Sequence, residues 1–433
     1  MQAVILAGGK GTRLQSRLGG LPKPLVDVDG TPLLQRQIEC LRTQQITDVV
    51  VLVSYRADAI RAFCAAHDNF GIKVTIIDEG EPLGTAGAVL AVLDQLQEKF
   101  LVIYGDLLVD ADFAPMIAAH KQNKADGTLF LHPNDHPFDS DLVELDSGGR
   151  VIRFLPYPRP PEEFHRNLVN AAVYLLERDA LRDFVDIQKP SDFGKNLFAE
   201  MIRAGKRLLG YVSFEYIKDI GTPDRLDKAV RDLRSGRVER GRLSSLQQVV
   251  FLDRDGTLNE EVDHLHDHRL LSLLPGAGAA IRRLNEAQYR CIVITNQPVL
   301  ARGECSLHEM DLIHAKLESD LGRDRAFLDR IFMCPHHPDS GFAGEIPELK
   351  RACNCRKPEL GLIEDAEKIM RIDRKNSWFV GDSTTDIETA RRAGLRSILL
   401  RTGKGGMDGK FDVRADFTAE GLPQAVDIIV SNF

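Results

Sequence analysis

Apolar positions along this chain come in short continuous runs, not in the apolar–polar alternation of half-exposed strands. Residues 3–6, 49–53, 74–77 and 100–103 are such runs, and helical spacing of apolar positions over 33–42, 57–66 and 85–96 separates them. A strand covered on both faces needs no polar alternation, so the pattern predicts parallel strands joined by crossover helices. Residues 231–248 break the rhythm: they are polar and arginine-rich and contain two glycines, which predicts a helix end running into a linker. The rhythm then restarts, with runs at 249–252, 291–295, 331–334, 378–380 and 398–400 and helical patterns near 277–287, 307–321 and 361–370. The expectation is an α/β chain of two domains, each a mostly parallel sheet flanked by helices, over 1–232 and 248–433 with a linker at 233–247.

Composition narrows the function classes. At 433 residues, two domains are each long enough to bury a core without disulfides or metals as staples. The net charge of −8 argues against non-specific nucleic-acid binding, so any basic site is local. No apolar run reaches membrane-span length, and Met1-Gln2-Ala3-Val4 lacks the regions of a signal peptide. Of the seven cysteines, Cys40, Cys64, Cys291 and Cys305 stand alone while Cys334, Cys353 and Cys355 cluster, a metal pattern of a reducing compartment. The economical expectation is a cytoplasmic enzyme acting on small molecules, with neither nucleic acid nor membrane as partner.

The first apolar run ends in Leu6-Ala7-Gly8-Gly9-Lys10-Gly11-Thr12-Arg13-Leu14, followed by Leu21-Pro22-Lys23-Pro24. Gly8, Gly9 and Gly11 let backbone N–H groups approach phosphates, Arg13 can fork onto phosphate oxygens, and Lys23 adds a positive charge between two prolines. A glycine-rich loop by itself also makes an ordinary strand-to-helix turn; the wider pattern is more specific. It resembles the sugar-nucleotide pyrophosphorylase family over residues 1 to about 230. The resemblance implies that Leu6, Ala7, Gly8, Gly9, Gly11, Thr12, Gly84, Thr85 and Gly105 bind a nucleotide, and that Asn170 contacts a sugar. It also implies that Asp106 and Asp219 hold Mg²⁺ while Arg13 and Lys23 neutralise charge growing in the transition state. One departure is visible: many relatives carry Glu-Lys-Pro where this chain reads Phe154-Leu155-Pro156-Tyr157-Pro158-Arg159-Pro160-Pro161, leaving Arg159 or Lys195 to replace the sugar-phosphate lysine.

The second half opens with Asp253-Arg254-Asp255-Gly256-Thr257 directly after an apolar strand. Two carboxylates that close, around Mg²⁺, allow one to attack phosphorus while the other serves as acid and base. This resembles the haloacid dehalogenase superfamily. The resemblance implies Asp253 as nucleophile, Asp255 as acid/base, Thr295 and Asn296 on phosphate, and Lys357 balancing the aspartyl-phosphate charge. It further implies Asp253, Asp255 and Asp382 at Mg²⁺, with Asp386 completing the acidic motif, and Arg302 and Arg356 on substrate.

Cys334-Pro335-His336 is followed, after sixteen residues, by Cys353-Asn354-Cys355. Three thiolates and an imidazole make a closed tetrahedral Zn²⁺ site, structural rather than catalytic. His337 is the alternative to His336, and spacing prefers His336. His264, His266 and His268 alternate and read as solvated or cap-loop histidines rather than ligands. The Cys-Pro-His-His-Pro and Cys-x-Cys-Arg-Lys-Pro strings look like the heptose 1,7-bisphosphate 7-phosphatase and histidinol-phosphatase branch, although Pro298 stands where relatives have a flexible Ser-Gly-Ile. The first half looks closest to heptose 1-phosphate guanylyltransferases. Together the resemblances imply consecutive steps: removal of the 7-phosphate, then GMP transfer from GTP to the heptose 1-phosphate. The rivals are the same two chemistries on another sugar with UTP or dTTP, and a phosphatase regulated by a degenerate nucleotide-sugar sensor.

Overall fold

The computed structural model describes residues 1–9, 11–160 and 162–432; Lys10 of the glycine-rich loop and Pro161 of the proline-rich stretch lie outside the described residues. The chain forms two compact units. The first comprises Met1–His132, Ser140–Tyr157 and Leu168–Arg242; the second comprises Leu243–Phe433 together with Pro133–Asp139 and Pro158–Asn167. The division after Arg242 falls inside the expected linker, which is itself structured: helix Pro223–Arg234 is followed by a short helix, Arg237–Arg240.

In the first unit the strands β1 (Gln2–Leu6), β2 (Asp48–Val53), β3 (Lys73–Asp78) and β4 (Lys99–Tyr104) lie parallel in the order β3-β2-β1-β4. Their apolar runs have both faces covered: Ala3, Ile5, Val49 and Val51 enter one core, and Val4, Val50, Leu52 and Val102 the other. Beyond β4 the sheet departs from the parallel expectation. Strand β7 (Val169–Glu177) runs antiparallel to β4, with β5 (Leu142–Leu145) and β6 (Val151–Leu155) beyond it. The cause is local. Asp146-Ser147-Gly148-Gly149 turns with Gly149 N–H on Asp146 O at 3.0 Å, and so short a loop joins only antiparallel strands.

In the second unit six strands are all parallel. The order is Arg330–Cys334, Arg290–Asn296, Val249–Leu252, Trp378–Gly381, Arg396–Leu400, Phe417–Ala419. The chain builds outward from Val249–Leu252 in one direction and then returns to build in the other. That strand marks a switch point, as β1 does in the first unit, and crevices at such points open beyond the strands' carboxyl ends. Among the described residues no helix is long and apolar enough to cross a membrane.

Candidate active sites

The first site lies at the carboxyl end of β1. Leu6, Ala7, Gly9, Gly11, Thr12, Arg13, Lys23, Thr85, Gly105 and Asp106 line a cavity of about 230 Å³. Lys23 is almost buried, and its Nζ donates to Asp106 Oδ2 at 2.6 Å. The two-stranded antiparallel ribbon of Leu107–Asp110 and Tyr216–Asp219 pairs Asp219 with Leu107 and so brings up the second aspartate, while Ile220 N–H bonds Asp106 O at 3.0 Å. Gly221 completes the wall. A Cβ there would meet Asp219 Oδ1 at 2.8 Å, Lys23 Nζ at 3.1 Å and Arg13 Nη2 at 3.5 Å, so only glycine leaves the three groups this close.

Four residues read from the sequence do not line this cavity. Gly8 turns toward Glu79, Gly84 is pressed against Ser191 O at the start of helix Thr85–Ala91, and the Asn170 amide donates to Tyr174 Oη at 2.9 Å. Asp219 sits behind Gly221, its carboxylate held by Gly221 N–H at 2.6 Å and by Arg225. Arg225 had no sequence signal, since an arginine on the first turn of a helix looks like surface charge. Arg159 drops out as the replacement for the sugar-phosphate lysine: it belongs to the second unit and donates to Pro137 O at 2.6 Å. Lys195 remains, exposed on the Phe193–Leu197 turn.

The second site opens beyond Val249–Leu252, where Asp253, Asp255, Thr295, Asn296, Arg302, Arg356 and Lys357 all line one cavity of about 410 Å³. Lys357 Nζ, buried, reaches Asp253 Oδ1 at 2.8 Å and Asp386 Oδ1 at 2.6 Å. Asn296 aims it: the amide accepts from Lys357 N–H at 3.0 Å and donates to Lys357 O at 3.2 Å. Asp382 is fully buried beneath the floor, with Oδ2 on Lys404 N–H at 2.6 Å and Oδ1 without a partner. Gly256, at φ 74°, is what lets the loop pass, because a Cβ would lie 2.3 Å from Asp382 Oδ2.

Carboxylate oxygens of Asp253, Asp382 and Asp386 lie within 4.8 Å of one another. Asp255, expected in the metal set, is not in this group. Its carboxylate is engaged by Arg254, by Asn259 at 2.9 Å and by Gln297 at 2.9 Å. Asp386, expected only to complete the acidic motif, takes the third place, and it also sits at N3 of a Ser383 capping box.

Electrostatics sort these carboxylates. Burial, countered by Lys357 and reinforced by Asp386, pushes Asp253 up to about 6; burial, Asp253 and Asp386 push Asp382 up to about 8. Burial also raises Asp255, but the Arg254 fork and the Asn259 and Gln297 bonds outweigh it and hold that carboxyl low. Three crowded carboxylates, one lysine and an orphaned Asp382 oxygen fit a hard divalent cation.

The folded state therefore binds more protons than the unfolded chain from about pH 4 upward. Stability from these two groups is full below that and is lost as pH rises through about 6 and about 8. Chelator-treated protein is expected to show a lower second-unit Tm at about pH 8.5 than at about pH 5.5, with MgCl₂ raising it more at the higher pH. Thermal scans at the two pH values check this, and equal shifts would count against a cation among these three groups.

Cys334, His336, Cys353 and Cys355 also converge within 4.8 Å. The sulfurs stand 3.2, 3.3 and 3.5 Å apart, and His336 Nδ1 lies 3.3 Å from Cys355 Sγ. Zn–S bonds of about 2.3 Å place tetrahedral sulfurs about 3.8 Å apart, so a small outward breath accommodates the ion. His337 is outside the cluster, with Asp339 N–H on its Nδ1 at 3.1 Å. Of the alternating histidines, His264 lines the second cavity against Arg302 and Glu304, and none joins a metal cluster among the described residues.

A nucleotidyl transferase family model matches residues 2–236, and a HAD-hydrolase-like model matches residues 354–425. Over 157 residues, 36% of this chain, the sequence is 40% identical to D-glycero-alpha-D-manno-heptose-1,7-bisphosphate 7-phosphatase of Photorhabdus laumondii, covering 84% of that protein. The chain belongs to the nucleotidyl transferase family, and its second half to the HAD-like hydrolases. The nucleotidyl transferase half, 52% of the chain, is 34% identical over 229 residues to probable mannose-1-phosphate guanylyltransferase 3 of Oryza sativa and spans 62% of that protein's length. A crystal structure of D,D-heptose 1,7-bisphosphate phosphatase from B. bronchiseptica with magnesium and phosphate is 30% identical, covers 43% of this chain and all of that one, and has a TM-score of 0.39.

Proposed function

We propose that this protein removes the 7-phosphate of D-glycero-α-D-manno-heptose 1,7-bisphosphate and then transfers GMP from GTP to the resulting heptose 1-phosphate, giving GDP-heptose. The observation that carries the reading is the pairing of the two sites on one chain. The 40% identical relative is named a heptose bisphosphate 7-phosphatase, and a heptose 1-phosphate is the acceptor class a sugar-phosphate guanylyltransferase needs. Mannose 1-phosphate is the second reading for the acceptor, favoured by the names of the plant relatives.

In the phosphatase half an Asp253 oxygen forms a bond to phosphorus as the phosphorus–sugar oxygen bond breaks and Asp255, acting as acid, gives that oxygen its proton. Water then attacks the aspartyl phosphate, releasing phosphate and returning the carboxylate, with Asp255 receiving the water proton. Lys357 offsets the charge beside Asp253 and Asp386; Thr295 and Asn296 orient the phosphoryl oxygens. Asp253, Asp382 and Asp386 would hold Mg²⁺, which when bound supplies positive charge opposite the transferring group.

In the transferase half a sugar 1-phosphate oxygen displaces pyrophosphate in line from the α-phosphorus of the triphosphate. Leu6, Ala7, Gly9, Gly11 and Thr12 line the triphosphate's place, and Arg13 and Lys23 face the charge that grows there. Asp106 would hold the Mg²⁺ of this half, and Asp219 would join it on releasing Arg225 and Gly221 N–H. Incubating pure protein with the heptose 1,7-bisphosphate or mannose 1-phosphate and each triphosphate in turn, then identifying products by mass spectrometry, tests the reading. GDP-mannose alone, with no release from the bisphosphate, overturns it in favour of the second.

Cys334, His336, Cys353 and Cys355 would hold a structural Zn²⁺ whose binding energy folds the 335–352 loop. Arg356 and Lys357 follow the last ligand directly, and Arg356 donates to His336 O at 3.1 Å, so the cluster aims both. Metal analysis is expected to find stoichiometric zinc, and Cys355→Ser to lower phosphatase kcat about tenfold without altering GMP transfer. Zinc-free protein with unchanged kinetics would remove the cluster from the account.

A further inference from the structure

Arg254, between the two reacting aspartates, is fully buried, and all its donors are directed. Nε and Nη2 fork onto Asp255, at 2.8 Å for the closest pair, while Nη1 faces Met310 Sδ at 3.3 Å and His314 Nε2 at 3.4 Å. His314 must therefore present a bare, accepting Nε2. It lies on helix Leu307–Arg323, in one stripe with Asp311 and Glu318 at helical spacing.

That stripe is covered by sequence from far upstream. Arg166 straddles it, with Nη1 on Asp311 at 2.9 Å and Nε on Glu318 at 3.0 Å; Asn167 N–H bonds Glu318 at 2.7 Å. His165 N–H and O both pair with Ser319 Oγ, and Lys316 Nζ sits 4.8 Å over the Phe164 ring. Asn134 and Asn167 tie the two upstream stretches together at 2.8 and 3.2 Å, and Pro137 packs where Gly322 has no side chain. Burial with Arg254 and Arg166 nearby holds His314 far below the usual imidazole range, keeping it neutral.

We propose that this arm, residues 133–139 and 158–167, is part of the phosphatase machinery, with Arg166 a positioning residue that acts through His314 and Arg254 to fix the Asp255 carboxylate. The proposal rests on Asp255 being the base that accepts the water proton. A carboxylate freed from its fork keeps its chemistry but loses its aim, and misplacement by about an ångström costs about 100-fold.

The test uses the full chain and p-nitrophenyl phosphate. In the first half-reaction the Asp253 oxygen bonds phosphorus and p-nitrophenolate leaves as the anion, needing no proton from Asp255. In the second, water oxygen bonds phosphorus, the Asp253 oxygen–phosphorus bond breaks and the water proton goes to Asp255. Arg166→Ala and His314→Leu are expected to release a burst near one p-nitrophenolate per chain, then turn over about 10- to 100-fold more slowly than wild type. His314→Gln, which restores an acceptor near the place of Nε2, is expected within about threefold of wild type.

A burst requires an intact, folded site, so a variant that merely unfolds loses burst and turnover together, and that result in both variants overturns the proposal. Wild-type turnover in both overturns it too. Asp255→Asn separates the layers. A burst with little turnover there, beside an unaffected His314→Leu, sinks the arm and leaves the assignment of Asp255 standing; wild-type turnover in Asp255→Asn, or no reaction of the wild-type protein, sinks that assignment itself.

Discussion

Asp253→Asn ends phosphate release, lowering turnover by about 10⁴-fold or more, while nucleotidyl transfer to a supplied sugar 1-phosphate continues at the wild-type rate. The amide has the carboxylate's shape but neither its charge nor its nucleophilicity. Lys357 keeps Asp386 at 2.6 Å, so the variant does not strand a buried cation. Removing one of three crowded carboxylates also removes repulsion, and the metal-free variant is expected to melt higher than metal-free wild type near pH 8. Release assays, transfer assays and thermal scans on one preparation read all three outcomes. Loss of both activities in a folded variant would end the two-site account.

The parts of this chain legible in its sequence are those where local rules and chemistry coincide. Asp253, Thr295 and Gly381-Asp382 each end a strand of an all-parallel sheet, so a periodicity reading of the strands places the reacting groups on one edge. The convergence of Cys334, His336, Cys353 and Cys355 needed only spacing and the preference of thiolate for zinc.

What escaped depends on partners distant in sequence. Asp386 is at once a helix-capping residue and a partner of Lys357, and the first role hides the second. Arg254 looks like the variable residue of its motif until burial shows that every donor is committed. The proline-rich stretch around Arg159 reads as an altered sugar loop because nothing local announces that the residues just after it, His165 and Asn167, pack on a helix at Ser319 and Glu318. The antiparallel β5–β6 pair was announced by Asp146-Ser147-Gly148-Gly149, a turn signal that the alternation of strands and helices overshadowed.

Asp106→Ala is the corresponding loss in the other half: nucleotidyl transfer falls by about 10²- to 10³-fold, and phosphate release from a sugar phosphate persists. Two effects add. The carboxylate expected to meet the cation is gone, and Lys23, now held by Asp106 at 2.6 Å in a nearly buried position, loses the group that aims it into the cavity. Asp106→Asn distinguishes them. Its amide oxygen still accepts from Lys23 Nζ but binds a hard cation weakly, so if aiming Lys23 is the larger part, the Asn variant recovers most of the rate. If cation binding is the larger part, the Asn variant stays as slow as Ala, and raising magnesium restores part of the transfer in both. A fully active Asp106→Ala would place the cation elsewhere and leave Asp219, locked onto Arg225 and Gly221, as the carboxylate to examine next.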